Sequence, residues 1–224
     1  MRDSKHIVLL GKGKGFEKVP TNTEQEIWGL NGLLFDKGIN TRLDKIFMMD
    51  VINEMPSVVA GLWNERKIID KINELNIPFV APYKYDEIPK SEAFPIEEII
   101  KQYGSPYFNN TIAYMIAYAL VQGVQSIDLW GINQASGSEY FYEKGCVEFW
   151  LGVAIGKGVT IKIGGQWSEL LTNKARYGGN LLYGYNRTVE EYLAEKKRFG
   201  EKSVQLIETP KQELTVKEQL TNLN

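Results

Sequence analysis

Apolar residues along this chain come in short runs divided by longer stretches of helical spacing. "HIVLL" at 6–10 is a continuous apolar run of strand length, and "EIWGLN" at 26–31 reads as a second, shorter strand. "KIFMMD" at 45–50 predicts a third strand that ends on an acid. "IPFVA" at 77–81, "SIDLWGIN" at 126–133 and "GVTIKI" at 158–163 predict three more. Between them, residues 58–75, 110–123 and 139–158 repeat apolar positions every three or four residues, as buried helix faces do. The helix near Thr111 is the best marked. Asn109 or Asn110 can cap it, Ile112, Met115, Ile116, Ala119 and Leu120 form one face, and Gly123 ends it. Strands alternating with helices predict an α/β fold: one doubly wound, mainly parallel, Rossmann-like sheet with helices on both faces.

After Gly164 the pattern weakens, and "WSELLTNKARYGGNLLYGY" reads as a looping segment laid over the domain. The stretch "TVEEYLAEKKRFG" restores helical spacing. Thr188 and Glu191, three residues apart, predict a capping box at its start. The expected organisation is therefore a nucleotide-binding domain over residues 1–187 and a C-terminal helical extension with a polar tail over 188–224. The tail is frayed or used in a homo-oligomer contact.

Composition narrows the partners. The 224 residues suit one sizeable α/β domain. Lys and Arg number 26 against 28 Asp and Glu, so the basic excess of a bulk nucleic-acid binder is missing. No apolar run approaches the roughly 18–20 residues that span a bilayer, and "MRDSKH" lacks a secretory apolar segment. A cytoplasmic protein with no membrane partner is expected. One cysteine, Cys146, excludes an intrachain disulfide. With one histidine, His6, it cannot build a zinc site, which leaves carboxylate-held Mg²⁺ as the metal to consider.

Open parallel sheets bind ligands beyond the carboxyl ends of their strands, so the residues that follow each strand are the candidates. "GKGKGF" follows the first. It is neither a P-loop nor a complete dinucleotide fingerprint. Two readings stand: a flexible basic corner, or a turn in which the amides of Gly11 and Gly13 meet a phosphate while Lys12 or Lys14 supplies charge. Asn31 ends the second strand and Asp50 the third, where a carboxylate binds a ribose hydroxyl or a metal, or caps a turn. Asn110 and Thr111 open a helix whose amino end attracts anions and polar ligands. Gly131 and Asn133 lie in the loop after Trp130, with Asn133 placed to read a base or sugar. Glu139, further on, is a general base, a metal ligand or simply an acid at a helix start. Tyr183 and Tyr185, in "YGGNLLYGYN", stack on a base, cover the site, or pack their own loop. These residues are expected to line one pocket.

The order of these motifs resembles a family. "WGLN", "FMMD", "NNTIAYMIAYALVQGVQSIDLWGIN" and "SEY" after a glycine turn look like the Rossmann-type glycosyltransferase scaffold. That scaffold is seen in bacterial CMP-sialic-acid-dependent sialyltransferases and motility-associated flagellin glycosylation proteins; an archaeal branch resembles 6-hydroxymethylpterin pyrophosphokinase. The run from "YFNNTIAYM" through "CVEFWLG" to "SELL" and "LYGY" is also similar to a group of tailed-phage proteins, which implies a phage-encoded protein. The resemblance covers about residues 6–140. It implies that Gly11 and Gly13 approach nucleotide phosphates and that Asn31 contacts the nucleotide or donor sugar. Asp50 then lies near the site, Asn110 and Thr111 cradle the ligand, and Gly131 and Asn133 hold ribose and base. Those sialyltransferases use a histidine base. This chain has only His6, so Asp50, Glu139 or carboxylate-held Mg²⁺ would serve. The leading expectation is a nucleotide or nucleotide-sugar-using transferase, with a non-catalytic nucleotide binder and a pyrophosphokinase-like phosphoryl transferase as alternatives.

Overall fold

The computed structural model describes residues 3–62, 64–135, 137–165, 167–171, 181–182 and 187–199. The chain divides into two compact units, 1–171 and 172–224, so the boundary expected at 187/188 lies inside the second.

The first unit is built on seven strands: β1 Asp3–Leu10, β2 Gln25–Leu30, β3 Lys45–Phe47, β4 Phe79–Ala81, β5 Ser91–Ala93, β6 Ser126–Trp130 and β7 Thr160–Ile163. They form one sheet in the order β5-β4-β3-β2-β1-β6-β7, and every pairing is parallel. Chain order runs outward in both directions from β1. The topological switch point therefore lies between β1 and β6, where Leu10 pairs with Trp130.

The two faces of the sheet bury two cores. On one, Ile7, Leu9, Trp28, Phe47, Ile127 and Leu129 pack under α3 (Ile96–Tyr103), α4 (Thr111–Val121) and α5 (Lys144–Gly156). On the other, Val8, Leu10, Ile27, Ile46 and Phe79 pack under α2 (Glu65–Leu75) and irregular turns. Alternate residues of each inner strand face opposite cores, which is why β1 reads as an unbroken apolar run. Trp28 and Trp150 are among the buried side chains of the first core.

Three elements depart from the sequence pattern. The single helix expected over 58–75 is two: α1 (Pro56–Val59) and α2. Gly61 turns left-handed at φ +71°, and the Asn64 side chain then caps a new helix by accepting from Lys67 N at 3.1 Å. The strand β5 lacks an apolar signature, and only Ser91 of its three residues is buried; α3 carries apolar residues at Ile96, Ile99, Ile100 and Tyr103, a helical spacing that the reading of the sequence did not pick out.

In the second unit a two-stranded ladder pairs β8 (Leu181–Leu182) with β9 (Arg187–Thr188), and α6 (Val189–Phe199) follows. The capping box is formed there: Thr188 N donates to Glu191 Oε2 at 2.7 Å, and Glu191 N donates to Thr188 Oγ1 at 3.1 Å. No helix among the described residues is long and apolar enough to cross a membrane.

Candidate functional site

The loops after β1 and β6 are zipped together by their backbones. Gly11 N donates to Trp130 O at 2.8 Å and Gly13 N to Gly131 O at 2.7 Å, which extends the β1–β6 pairing past the strand ends. This approach requires glycine on both sides. A Cβ on Gly11 would lie 2.5 Å from Gly131 O, and one on Gly13 would lie 2.6 Å from the same atom. A Cβ on Gly131 would lie 2.5 Å from Gly11 O. The β1 loop then closes a turn in which Phe16 N donates to Gly13 O at 3.1 Å. Gly15 takes the left-handed third position, at φ 90° and ψ 3°, that a type II turn demands.

The amides of Gly11 and Gly13, expected to face a phosphate, are thus already committed to the neighbouring loop. The amides of Lys12, Lys14 and Gly15 are left without an acceptor among the described residues. Lys12 extends into solvent. Lys14 rests its ammonium 3.5 Å from the centre of the Trp167 ring, and Asn133 Nδ2 donates to Lys14 O at 3.2 Å.

The β6 loop is held from its other side by residues 168–169. Ser168 Oγ donates to Ile132 O at 2.8 Å and Glu169 N donates to Asn133 O at 2.8 Å. One side chain in this loop is buried without being held. Gln134 is 6% exposed, its backbone is left-handed at φ +48°, and its Oε1 is buried with no hydrogen-bond donor among the described residues. At the end of β2, Asn31 repeats the arrangement, with φ +38° and a buried, unpaired Oδ1. Two buried amide oxygens therefore follow the two strands that flank β1, Asn31 directly after β2 and Gln134 in the loop after β6. Gln134 was not among the sequence candidates; its left-handed backbone is invisible in "GINQAS".

The other candidates are placed as follows. Thr111 is the first residue of α4, which precedes β6 and so points its amino end at the carboxyl edge of the sheet. Asn110 is fully engaged. Its Oδ1 accepts from Ala113 N at 2.9 Å, and its Nδ2 donates to Asn109 Oδ1 at 2.7 Å and toward Glu143 O at 3.4 Å. Asp50 lies three residues beyond β3, exposed and bonded to no described residue. Glu139 opens a 3-10 turn, Glu139–Glu143; its side chain, like Tyr183 and Tyr185, lies outside the described residues. No three of His, Cys, Asp and Glu come together among the described residues.

A cleft of about 750 Å³ opens beside this edge, lined by Lys12, Phe35, Val58, Leu62, Glu65 and Lys67 among others. Of the residues expected to share a pocket it includes Lys12 alone. The switch-point residues and this cleft are neighbours through Lys12 and through Gly32, which follows Asn31.

The chain is similar to bacterial sialyltransferases of known structure. One is the sialyltransferase CstII from Campylobacter jejuni in complex with a substrate analogue, cytidine-5′-monophosphate, at 15% identity and a TM-score of 0.45 over 70% of this chain and 79% of that one. The same enzyme with CMP-3FNeuAc aligns at 16% identity and 0.44, over 70% and 78%. The α-2,3-sialyltransferase from Campylobacter jejuni in apo form aligns at 15% and 0.41, over 87% and 95%. No family model matches the chain, and no curated protein matches it.

Proposed function

We propose that the carboxyl edge of the sheet at the β1–β6 switch point binds a nucleotide or nucleotide sugar, and that the protein is a glycosyltransferase-like transferase. The observation that carries this reading is Asn31. An asparagine with a left-handed backbone and a buried Oδ1 unpaired among the described residues, at the end of a strand next to the switch point, leaves a polar group unsatisfied inside the protein. A ligand hydroxyl or amino group would supply the missing donor. The phosphate would then meet the free amides of Lys12, Lys14 and Gly15 and the ammonium of Lys12. The amino end of α4 at Thr111 adds a favourable field for the anion. Gly131 and Asn133 shape the floor by holding the two loops together, and Asn110 holds α4 in place. The motif order described above supplies the nucleotide-sugar class.

In the transfer itself an acceptor hydroxyl oxygen attacks the donor sugar carbon. The bond to phosphate oxygen breaks, and the nucleotide leaves with the electron pair, its charge met by the amides. The proton passes to a carboxylate, Asp50 or Glu139. A second reading, a binder without turnover, is favoured by one fact: no described group orients Asp50.

The test is thermal-shift screening with nucleoside monophosphates and nucleotide sugars. A ligand at 100 times its Kd adds about 2.7 kcal/mol, a rise of roughly 5–10 °C for a domain this size. Asn31→Gly suits the left-handed backbone and removes the acceptor, so it should abolish the shift without lowering the Tm of the free protein. An equal shift in the variant would end the assignment. Release of free nucleotide from the stabilising nucleotide sugar separates transferase from binder.

A further inference from the structure

Three backbone carbonyls around Gln134 in the β6 loop have partners. Ile132 O and Asn133 O accept from residues 168 and 169, and Ala135 O accepts from Ser138 N at 3.1 Å. Gln134 alone is kept in an unfavourable backbone region with its side chain inside and its oxygen unanswered. A side chain of that length can leave such a position by turning outward, or be replaced by an apolar residue of the same shape, unless something binds to it. The loop containing it is fixed on both sides, to the β1 turn and to residues 168–169, so the oxygen is held at a defined place beside the switch point.

We infer that Gln134 is a specificity-determining residue: its Oε1 accepts a hydrogen bond from an N–H or O–H donor of the bound nucleotide. This rests on the nucleotide reading and deepens it. Asn31 directly follows β2, and Gln134 lies in the loop after β6; these are the two strands that flank β1. The ligand sought therefore offers a donor to Gln134 besides the one offered to Asn31. A nucleotide with an amino-bearing base does so through its exocyclic amine and its ribose hydroxyls; one with uracil keeps only the hydroxyls. A buried acceptor discriminates strongly, because a ligand lacking the donor leaves it unpaired in a dry site.

Gln134→Met keeps side-chain length and the same backbone demands and removes the acceptor. Two measurements decide. The first is the Tm of the free variant, which is expected to equal or exceed that of the wild type. A clear fall, with native far-UV CD lost, would make Gln134 a structural residue and overturn the inference. The second is titration of both proteins with CMP, UMP and 2′-deoxy-CMP. If the donor is the base amine, wild type prefers CMP over UMP about tenfold or more, and the variant loses that preference while its UMP affinity is unchanged. If the donor is the ribose hydroxyl, the preference of wild type for CMP over 2′-deoxy-CMP collapses instead. An unchanged profile in the variant overturns the inference and leaves nucleotide binding standing. If none of the three binds the wild type, the nucleotide reading falls, and the stability arm alone decides whether Gln134 is held against the fold's own interest.

Discussion

Gly131→Ala tests the joint between the β1 and β6 loops. The added Cβ would lie 2.5 Å from Gly11 O and 2.6 Å from the Phe16 Cβ, against backbone and a fixed branch point, so neither can swing away. It would also sit at φ +62°, a region that costs an L-residue about 1–2 kcal/mol. Overpacking adds about 1–3 kcal/mol. The sum, about 2–5 kcal/mol, corresponds to a fall in Tm of roughly 10 °C in a domain this size. Gly104→Ala is the control. Gly104 has a nearly equal φ of +70° after α3, but a Cβ there meets nothing within 4 Å. It should lose only the backbone part, about 1–2 kcal/mol. Differential scanning calorimetry of the two variants beside wild type measures the difference. Equal losses would refute the claim that close approach of the two loops is what demands glycine at 131.

Asn110→Ala removes the cap of α4 and should cost about 1 kcal/mol by urea denaturation, with Asn110→Asp largely restoring it; intact stability with lost nucleotide binding would make Asn110 a ligand contact instead. Asp50→Asn should leave stability within about 0.5 kcal/mol, since the exposed carboxylate bonds nothing described. A marked Tm loss would show it to be a structural cap, whereas loss of turnover alone fits a base. Burial, and then the hydrogen bond to Glu92, push the Tyr118 hydroxyl well above the ordinary tyrosine range. Above about pH 10 an unfolded tyrosine gives up its proton while folded Tyr118 keeps it, so the native state binds more protons and stability falls as pH rises. Tyr118→Phe should flatten that fall between pH 9.5 and 11 by up to about 1.4 kcal/mol per pH unit; an unchanged slope would show that other groups produce it.

Much of the fold was legible because the inner strands are covered on both faces. "HIVLL" and "SIDLW" carry apolar residues to two cores at once, and each stands out as a run. The edge hides better. β5 is "SEA", held by backbone pairing to β4, and such pairing leaves no mark in side-chain chemistry. The split at Gly61 was missed because the apolar spacing continues through it; only the left-handed backbone and the Asn64 cap end one helix and start another.

At the site, strand order was enough to bring "GKGKG" and "GIN" together. What the glycine amides bond to was not legible. Lys14 and Asn133 are 119 residues apart, and only the folded register shows that Gly11 and Gly13 spend their donors on the β6 loop. Gln134 was hidden for a different reason: glutamine is not a residue whose presence signals a left-handed turn, and an unpaired oxygen exists only once everything around it has been paired.

The central pairing of β1 with β6 also sets when the binding edge can come into being. His6 and Ser126, joined at 2.8 Å, are separated by 120 residues of chain. A ribosome adding about 5–20 residues per second needs roughly 6–24 s to travel from one to the other. Throughout that interval β2 can protect one side of β1, while the other side, an apolar strand with open backbone groups, waits for a partner not yet made. Folding of the unit is thereby tied to its most non-local pairing, which favours a slow final step and exposes nascent chains to edge-to-edge association. The glycine joint between the two loops closes only in that last step, so a chain stopped before Ser126 lacks half of the candidate site even if β1 to β5 have already paired.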